Sequence, residues 1–156
     1  MSKTIKVLCV GAGHMGTSHA RAYHVSDGFE ICGIVTRSQG SRAALNEDLG
    51  ASYAEFGDFY EALKATKPDA VSISTYPDTH AAYAKAAMDA GADVFIEKPL
   101  AETVAEAEEI VAKARETGRK VVIGYILRHH PSWIKFIEIS HTLGTVSYTH
   151  LRAHET

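Results

Sequence analysis

The chain has few cysteines, little net charge and no long apolar run, and each shortage excludes a class of protein. Its 156 residues contain 16 Lys and Arg against 19 Asp and Glu, a formal net charge of −3. That balance offers no broad basic surface to nucleic acid or to an anionic membrane. No apolar run approaches the roughly 20 residues that span a bilayer, and the N-terminus leads into a strand-like segment rather than a secretory signal. We therefore expect neither nucleic acid nor a membrane as a partner.

The two cysteines are too few for a disulfide framework. Cys9 and Cys32 both sit in apolar, strand-like runs, so we expect buried free thiols in a reducing cytoplasm, and no metal site. With 46% hydrophobic and 22% charged residues, the composition is that of an ordinary globular domain and not of a disordered chain.

Apolar runs alternate with helical patterns along most of the chain. The predicted strands are 5–10, 29–36, 51–53, 70–74, 93–96 and 120–124. The predicted helices are a stretch from the first glycine-rich turn to about residue 25, then 41–49, 59–65, 79–90, 104–117 and 132–143. Strands that alternate with helices form βαβ units with right-handed crossovers. Residues 3–124 are therefore predicted to form an α/β fold, a doubly wound parallel sheet of the Rossmann type.

The pattern changes after residue 124. Residues 125–145 have the pattern of a polar connection and one amphipathic helix, which cannot bury its apolar side alone. We expect them to be only the start of a second α+β domain. Residues 146–156 match one translated frame of a transposase-type sequencing-library adaptor, so we expect the natural sequence to end at or just before Thr145. The histidines of this tail are therefore not metal candidates.

The strongest chemical motif is the turn Gly11-Ala-Gly-His-Met-Gly16, which follows the first strand and opens a helix. Gly11 permits the tight turn, Gly13 lets the backbone approach a pyrophosphate, and Gly16 lets helix and strand pack closely. The helix N-terminus offers N–H groups and the positive end of its dipole to phosphates. His14 and Met15 lie inside the turn and are expected beside the cofactor, Met15 packing beneath it. The motif predicts dinucleotide binding; the alternative is a turn that is merely tight.

The end of the second strand indicates which dinucleotide is bound. An acid about 20 residues after the glycines would bind the ribose 2′-hydroxyl of NAD, but here the strand ends in Thr36-Arg37-Ser38. Arg37 can stack on adenine and pair with a 2′-phosphate, and Thr36 and Ser38 can donate hydrogen bonds to it. We favour NADP(H), with NAD(H) as the second choice; the alternative for Arg37 is a solvated surface charge.

Two later motifs bring a resemblance to a known family. Ser74-Thr-Tyr-Pro-Asp-Thr-His80 follows the fourth strand, and Glu97-Lys-Pro-Leu100 follows the fifth. With the glycine-rich turn, they resemble the glucose–fructose oxidoreductase, inositol dehydrogenase and rhizopine-catabolism (Gfo/Idh/MocA) family over about residues 3–131. The resemblance implies a two-domain NAD(P)-dependent enzyme that oxidises a sugar or polyol hydroxyl or reduces the matching carbonyl. It also implies a homo-oligomeric full-length protein whose acid–base partner lies in the C-terminal domain, so we expect little turnover from this chain.

The resemblance assigns roles around the motif that follows the fifth strand. Lys98 matches the lysine of the family's Glu-Lys-Pro motif and is expected to be catalytic, because it can hydrogen-bond or protonate the reacting oxygen. Glu97 is expected to contact the nicotinamide ribose or to place Lys98. Tyr125 and Arg128 match a segment that approaches the cofactor or substrate, where Arg128 can bind a carboxylate or phosphate. The alternative for Lys98 is an exposed loop lysine without a catalytic role, and the alternative for Arg128 is an ordinary interdomain salt bridge.

The loop after the fourth strand is the other part of the resemblance. Thr75, Tyr76 and His80 match the family's loop over the cofactor, although Tyr76 stands where the family usually has a small residue. His80 fits equally well as an ordinary residue in the first turn of the next helix. His14, His19 and His24 are five residues apart and do not share a helix face as residues four apart would, so we expect no role for His19 or His24.

Other functions remain open at this point. A dinucleotide-binding regulatory protein with the same fold would need the glycine-rich turn but not Lys98. Reductases related to the aspartate-semialdehyde and dihydrodipicolinate enzymes share the glycine-rich start, but their later motifs are not found here.

Overall fold

The computed structural model describes residues 3–142, and the chain divides after Gly124 into two compact units. The strands of the first unit are β1 (Ile5–Val10), β2 (Phe29–Val35), β3 (Glu55–Phe56), β4 (Ala70–Ile73), β5 (Asp93–Ile96) and β6 (Val121–Ile123). Its helices are α1 (His14–Val25), α2 (Gln39–Leu49), α3 (Phe59–Thr66), α4 (His80–Asp89) and α5 (Val104–Thr117). All strand pairs are parallel, in the order β3-β2-β1-β4-β5-β6. The predicted doubly wound α/β fold is confirmed.

The central strand β1 is buried on both faces of the sheet. Successive side chains of a strand point to opposite faces, and here Leu8 and Val10 join one hydrophobic cluster while Val7 and Cys9 join the other. A strand buried on both faces has a continuous apolar run rather than an alternating pattern. This is why Ile5–Val10 could be predicted from its composition.

Helix ends follow the local sequence closely. Thr103 accepts a hydrogen bond from the N–H of Glu106, whose carboxylate accepts one from the N–H of Thr103, so the predicted capping box of α5 is present. Gly50 and Gly118 follow α2 and α5 with φ of 59° and 67°. This left-handed conformation favours glycine.

The third strand was predicted in the wrong place. Residues 51–53 do not join the sheet, because the Asn46 amide takes the hydrogen bonds of Tyr53: its Oδ1 accepts from the Tyr53 N–H at 2.8 Å and its Nδ2 donates to the Tyr53 carbonyl at 3.0 Å. Pairing with β2 starts only where Ile34 N–H donates to the Ala54 carbonyl at 2.8 Å. The strand therefore lies at Glu55–Phe56.

Two smaller expectations also need correction. α2 begins at Gln39 rather than Ser41, because the Ser38 hydroxyl accepts a hydrogen bond from the Ser41 N–H and caps the helix. Cys32 is only partly buried, whereas Cys9 is buried as expected, and both thiols are free.

The second unit is described as far as Thr142. Up to that residue it contains the 3-10 turn Ile126–Arg128 and helix α6 (Pro131–Thr142), on which Trp133 and Phe136 stack with ring centres 5.1 Å apart. The adaptor-like residues 146–156 lie outside the described residues, so their assignment stays a prediction. Across residues 3–142, no helix combines the length and apolarity needed to cross a membrane.

Candidate functional site

The glycine-rich turn is built by backbone contacts that leave no room for side chains at two of its three glycines. Gly11 has φ of 98°, and a Cβ there would stand 2.4 Å from the Ser74 carbonyl oxygen. A Cβ on Gly16 would stand 2.0 Å from the Gly11 carbonyl oxygen. Gly13 differs, because a Cβ there would meet nothing within 4 Å. Gly11 and Gly16 are thus required by packing, whereas Gly13 faces open space.

The open space at Gly13 lies at the N-terminus of α1. Gly13 is the N-cap residue and its helix end has neither a side-chain cap nor an acidic residue in the first turn. The first helical bond runs from the Thr17 N–H to the Gly13 carbonyl at 2.8 Å. The N–H groups of His14, Met15 and Gly16 therefore have no helical partner. An uncapped helix end of this kind is suited to an anion.

A cleft of about 510 Å³ opens beside this turn, over the carboxyl ends of β1, β2 and β4. β1 lies between β2 and β4, so this is the point where the strand order reverses and where ligands of open α/β sheets bind. Six residues predicted to bind a cofactor line the cleft: Gly11, Gly13, Thr36, Arg37, Thr75 and Tyr76.

The β2 end of the cleft is held by a second arginine that the sequence did not point to. The Arg42 guanidinium donates to the Thr36 carbonyl and lies 3.4 Å, Nε to Oε2, from Glu55. Arg37 itself is exposed on the cleft wall. Arg42 fixes the backbone from which Arg37 extends, so Arg37 is left available to a ligand.

Asp58, Phe59 and Tyr83 line the cleft as well, and the sequence analysis missed all three. The Asp58 carboxylate caps α3 by accepting the Glu61 N–H at 2.8 Å. The Phe59 and Tyr83 rings stack with centres 4.2 Å apart. Residues 57–59 directly follow β3, and the misplacement of that strand hid their position at the same edge of the sheet as the glycine-rich turn.

The loop after β4 forms the opposite wall. The hydroxyls of Thr75 and Thr79 lie 2.7 Å apart, and the Thr79 hydroxyl donates to the Tyr76 carbonyl at 2.9 Å. Tyr76 is 75% exposed at the rim of the cleft. The 3-10 turn Pro77–Thr79 leads from this loop into α4.

His80 is completely buried behind the loop rather than directed into the cleft. Its Nδ1 lies 2.8 Å from the Pro99 carbonyl oxygen and its Nε2 lies 3.2 Å from the Thr75 carbonyl oxygen. This position favours a role in joining the loops after β4 and β5 over direct contact with a cofactor.

The residues after β5 have opposite environments. Lys98 is exposed, whereas the Glu97 side chain is only 7% exposed and its Oε2 accepts the Lys98 backbone N–H at 3.2 Å. Gly124 packs on this carboxylate, since a Cβ there would stand 2.9 Å from Glu97 Oε1. The buried Glu97 carboxylate therefore holds the backbone of Lys98, whose side chain is exposed.

His19, to which the sequence analysis gave no role, contacts this buried carboxylate. Its Nε2 lies 3.2 Å from Glu97 Oε1, and its Nδ1 lies 3.2 Å from the Ser74 hydroxyl. Burial lowers the pKa of the His19 imidazole below its ordinary value, and the nearby Glu97 charge offsets part of that effect. The sequence offered one indication that His19 is buried: it lies three residues after Gly16 and next to Ala20, the two buried residues of α1.

Within the first unit, four more predicted residues do not line the cleft: His14, Met15, Gly16 and Ser38. His14, Met15 and Gly16 form the first turn of α1, and Ser38 is engaged in capping α2. Tyr125 and Arg128 belong to the second unit, where the Arg128 guanidinium carbon lies 5.8 Å from the centre of the Tyr125 ring. Within residues 3–142, no cluster of three or more His, Cys, Asp or Glu side chains is arranged to hold a metal ion.

This fold and this turn define an NAD-binding Rossmann domain. Residues 5–125 match the model of the Gfo/Idh/MocA oxidoreductase family, described as an NAD-binding Rossmann fold, and the chain belongs to that family. The resemblance drawn from the three sequence motifs is confirmed.

Curated relatives extend well beyond this chain. It is 35% identical over 128 residues to 4-carboxy-2-hydroxymuconate-6-semialdehyde dehydrogenase of Sphingobium sp.. It is 33% identical over 133 residues to inositol 2-dehydrogenase 1 of Saccharopolyspora erythraea. These matches cover 82% and 84% of this chain but 40% of each relative.

A solved structure shares the fold. Scyllo-inositol dehydrogenase from Lactobacillus casei, determined with NAD(H) and scyllo-inositol, has a TM-score of 0.80 and 22% sequence identity to this chain. The likeness covers 90% of this chain and 42% of that protein.

Proposed function

We propose that this chain is the cofactor-binding part of an NAD(P)-dependent oxidoreductase that acts by hydride transfer on a hydroxyl or carbonyl of a sugar, a polyol or a related compound. The observation that carries the proposal is the open space at Gly13, which joins an uncapped helix end to the cleft. The relatives named above act on an inositol and on a semialdehyde, as their names state.

The described residues fit a dinucleotide. A Cβ at Gly13 would occupy the space that a pyrophosphate needs, and the N–H groups that follow it can donate to phosphate oxygens. The partly exposed Tyr83 ring, which stacks on the buried Phe59 ring, supplies an apolar wall suited to the adenosine end. When bound, the nicotinamide ring supplies the site that accepts or delivers a hydride.

Arg37 supports NADP(H) over NAD(H). It is exposed on the cleft wall, its backbone is held by Arg42, and no acid occupies positions 36–38 to pair with a ribose 2′-hydroxyl. Thr36 lines the cleft beside it. The Ser38 hydroxyl already caps α2, so Arg37 and Thr36 are the better candidates for a 2′-phosphate.

Lys98 is the proposed catalytic residue of this half of the enzyme. Its ammonium group can stabilise or protonate an alkoxide that develops on the substrate. Its backbone is fixed by the buried Glu97 carboxylate and, through Pro99, by His80. A purely regulatory dinucleotide-binding protein is the other candidate, and it would have no use for an exposed lysine held in this way.

The whole enzyme is proposed to be a cytoplasmic homo-oligomer whose remaining site residues lie in a part that corresponds to the unmatched length of the relatives. Tyr125 and Arg128 would lead towards that part. Because acid–base and positioning groups contribute large rate factors, we expect this chain to bind cofactor with little turnover. Normal steady-state turnover of a polyol by this chain would contradict that expectation.

Calorimetric titration of the chain with NADPH and with NADH tests the proposal. A hydrogen bond to a charged group contributes about 1.5–3 kcal/mol, so Arg37→Ala should weaken NADPH binding about 10- to 100-fold and NADH binding much less. Arg115→Ala, which removes an exposed arginine from the last turn of α5, is the matched control. Tighter binding of NADH would overturn the NADP(H) preference, and binding of neither would overturn the proposed function.

A further inference from the structure

His19 joins two strand ends that flank the proposed cofactor. It lies on the inner side of α1, its side chain 16% exposed, with Nδ1 facing the Ser74 hydroxyl after β4 and Nε2 facing Glu97 after β5. Phe95 on β5 packs edge-on against the ring, centre to centre 4.8 Å. His19 thus contacts the residues that follow both β4 and β5.

The Glu97 carboxylate has acceptor capacity to spare. Its Oε2 accepts the Lys98 N–H, but its Oε1 has no hydrogen-bond partner among the described residues. The His19 Nε2 lies within ion-pair distance of Oε1 at 3.2 Å without the alignment of a hydrogen bond. A buried carboxylate in this state is stabilised by any added positive charge nearby.

The protonation state of His19 decides what the Ser74 hydroxyl can do. A neutral imidazole has one donor and one acceptor nitrogen. With its hydrogen on Nε2, towards Glu97, Nδ1 must accept the Ser74 O–H. An imidazolium donates from both nitrogens, so Ser74 Oγ then accepts from Nδ1 and its own hydrogen is released. Ser74 lines the cleft, with its carbonyl next to Gly11 and its Cβ next to Gly16, so a hydroxyl hydrogen released from His19 can turn towards a ligand bound there.

We propose that His19 is a positioning residue: binding of the anionic dinucleotide draws one proton from solvent onto His19, which turns the Ser74 hydroxyl from His19 towards the ligand. The inference rests on the proposed function. The added charge is balanced by Glu97 on one side and favoured by the ligand's pyrophosphate on the other. The groups that face the ring are Glu97, the Ser74 hydroxyl and the apolar edge of Phe95.

The direction of the pH dependence follows from this exchange. In the free chain, burial holds the pKa of His19 below its ordinary value, so the ring is neutral near pH 7. Ligand binding raises that pKa, and affinity therefore increases as pH falls towards it. A single linked proton changes the dissociation constant by at most about tenfold per pH unit.

The test is calorimetric titration of the full chain with NADH near pH 6 in two buffers of different ionisation enthalpy, which gives the number of protons taken up. NADH is used because the 2′-phosphate of NADPH titrates near pH 6 itself. His19→Gln keeps an amide near Ser74 and Glu97 but cannot titrate. His24→Gln is the matched control, since His24 is exposed on the same helix and contacts the Tyr53 hydroxyl at 2.7 Å.

We expect net proton uptake, of at most about one proton per ligand, in the parent chain and in His24→Gln, and its loss in His19→Gln. The NMR titration of the His19 ring in the parent chain, with and without NADH, gives the same answer should His19→Gln fail to fold: the pKa must rise on binding. Binding without proton uptake, or uptake retained in His19→Gln, overturns this inference alone. A chain that binds neither NADH nor NADPH overturns the proposed function and the inference with it.

Discussion

Gly13 and Gly16 stand three residues apart in one turn, and the structure predicts opposite consequences for the same substitution. Gly13→Ala should leave the fold intact and weaken dinucleotide binding. Gly16→Ala should destabilise the fold. The contrast separates a glycine required by a ligand from a glycine required by packing.

The magnitude at Gly16 follows from the distance to its neighbour. A Cβ would stand 2.0 Å from the Gly11 carbonyl oxygen and 2.7 Å from its carbon. Both are backbone atoms of a turn that cannot rotate away, so α1 must move by more than about 1 Å from β1. Overpacking of this kind costs about 1–3 kcal/mol. In a domain of this size, each kcal/mol lowers the melting temperature by roughly 3–6 °C.

At Gly13 the added methyl group meets no protein atom within 4 Å. Its backbone, φ −79° and ψ −172°, is one that alanine adopts readily. Alanine is a poorer N-cap than glycine by roughly 1 kcal/mol, but it lowers the entropy of the unfolded chain, which stabilises the fold by about 0.4–1 kcal/mol, so the two effects largely offset and stability should change by less than about 1 kcal/mol. The methyl group instead displaces the pyrophosphate and costs one or two charge-assisted hydrogen bonds, about 1.5–3 kcal/mol each.

Thermal unfolding measures the stability of both variants, and calorimetric titration measures their affinity for NADPH. We expect Gly13→Ala to melt with the parent chain and to bind NADPH at least about tenfold more weakly, and Gly16→Ala to melt several degrees lower. Parent-like affinity in Gly13→Ala would show that the ligand does not approach this turn. A parent-like melting temperature in Gly16→Ala would refute the packing argument.

Three further predictions concern the fold. Thr103→Ala removes the capping box of α5 and should cost about 0.5–2 kcal/mol in denaturant unfolding, while Thr103→Ser should restore most of it. Burial, with the neighbouring Cys32, raises the pKa of the Cys9 thiol to about 12, so a thiol reagent at pH 8 should modify Cys32 first and Cys9 only on unfolding, as mass mapping will show. The Lys3 ammonium and the Lys6 N–H lower the pKa of Asp69. The stability that this carboxylate contributes is present above its ordinary pKa and is lost as pH falls through the lowered pKa. Asp69→Asn should therefore flatten the acid side of a plot of unfolding free energy against pH.

The central strands β1 and β4 could be predicted because they are buried on both faces. A run such as Val7–Val10 has one explanation in an alternating α/β chain. β3 could not be placed, because its position depends on a tertiary event, the capture of Tyr53 by the Asn46 amide. A pattern of apolar residues contains no information about which side chain will compete for a backbone hydrogen bond.

The site residues also differ in how far their roles depend on local sequence. Residues whose role is set by the backbone nearby, such as Gly11 and Arg37, were predicted from local sequence and lie on the cleft. Residues whose role depends on distant neighbours were missed or placed differently. His19 meets Glu97 across the sheet, and His80 joins two loops from behind. The place of His19 beside Gly16 and Ala20 puts it on the buried side of α1, but the sequence does not show that Glu97 lies opposite it. Nor does the sequence show which two loops His80 joins.

The Asn46 amide has a consequence for how the sheet ends. Outer strands with free N–H and C=O groups are templates on which other chains can add and aggregate, and very short outer strands avoid this. By occupying both polar groups of Tyr53, Asn46 stops the outermost strand at two residues. One side chain of α2 thus imitates a neighbouring peptide group and closes a border of the sheet that would otherwise be open to self-association.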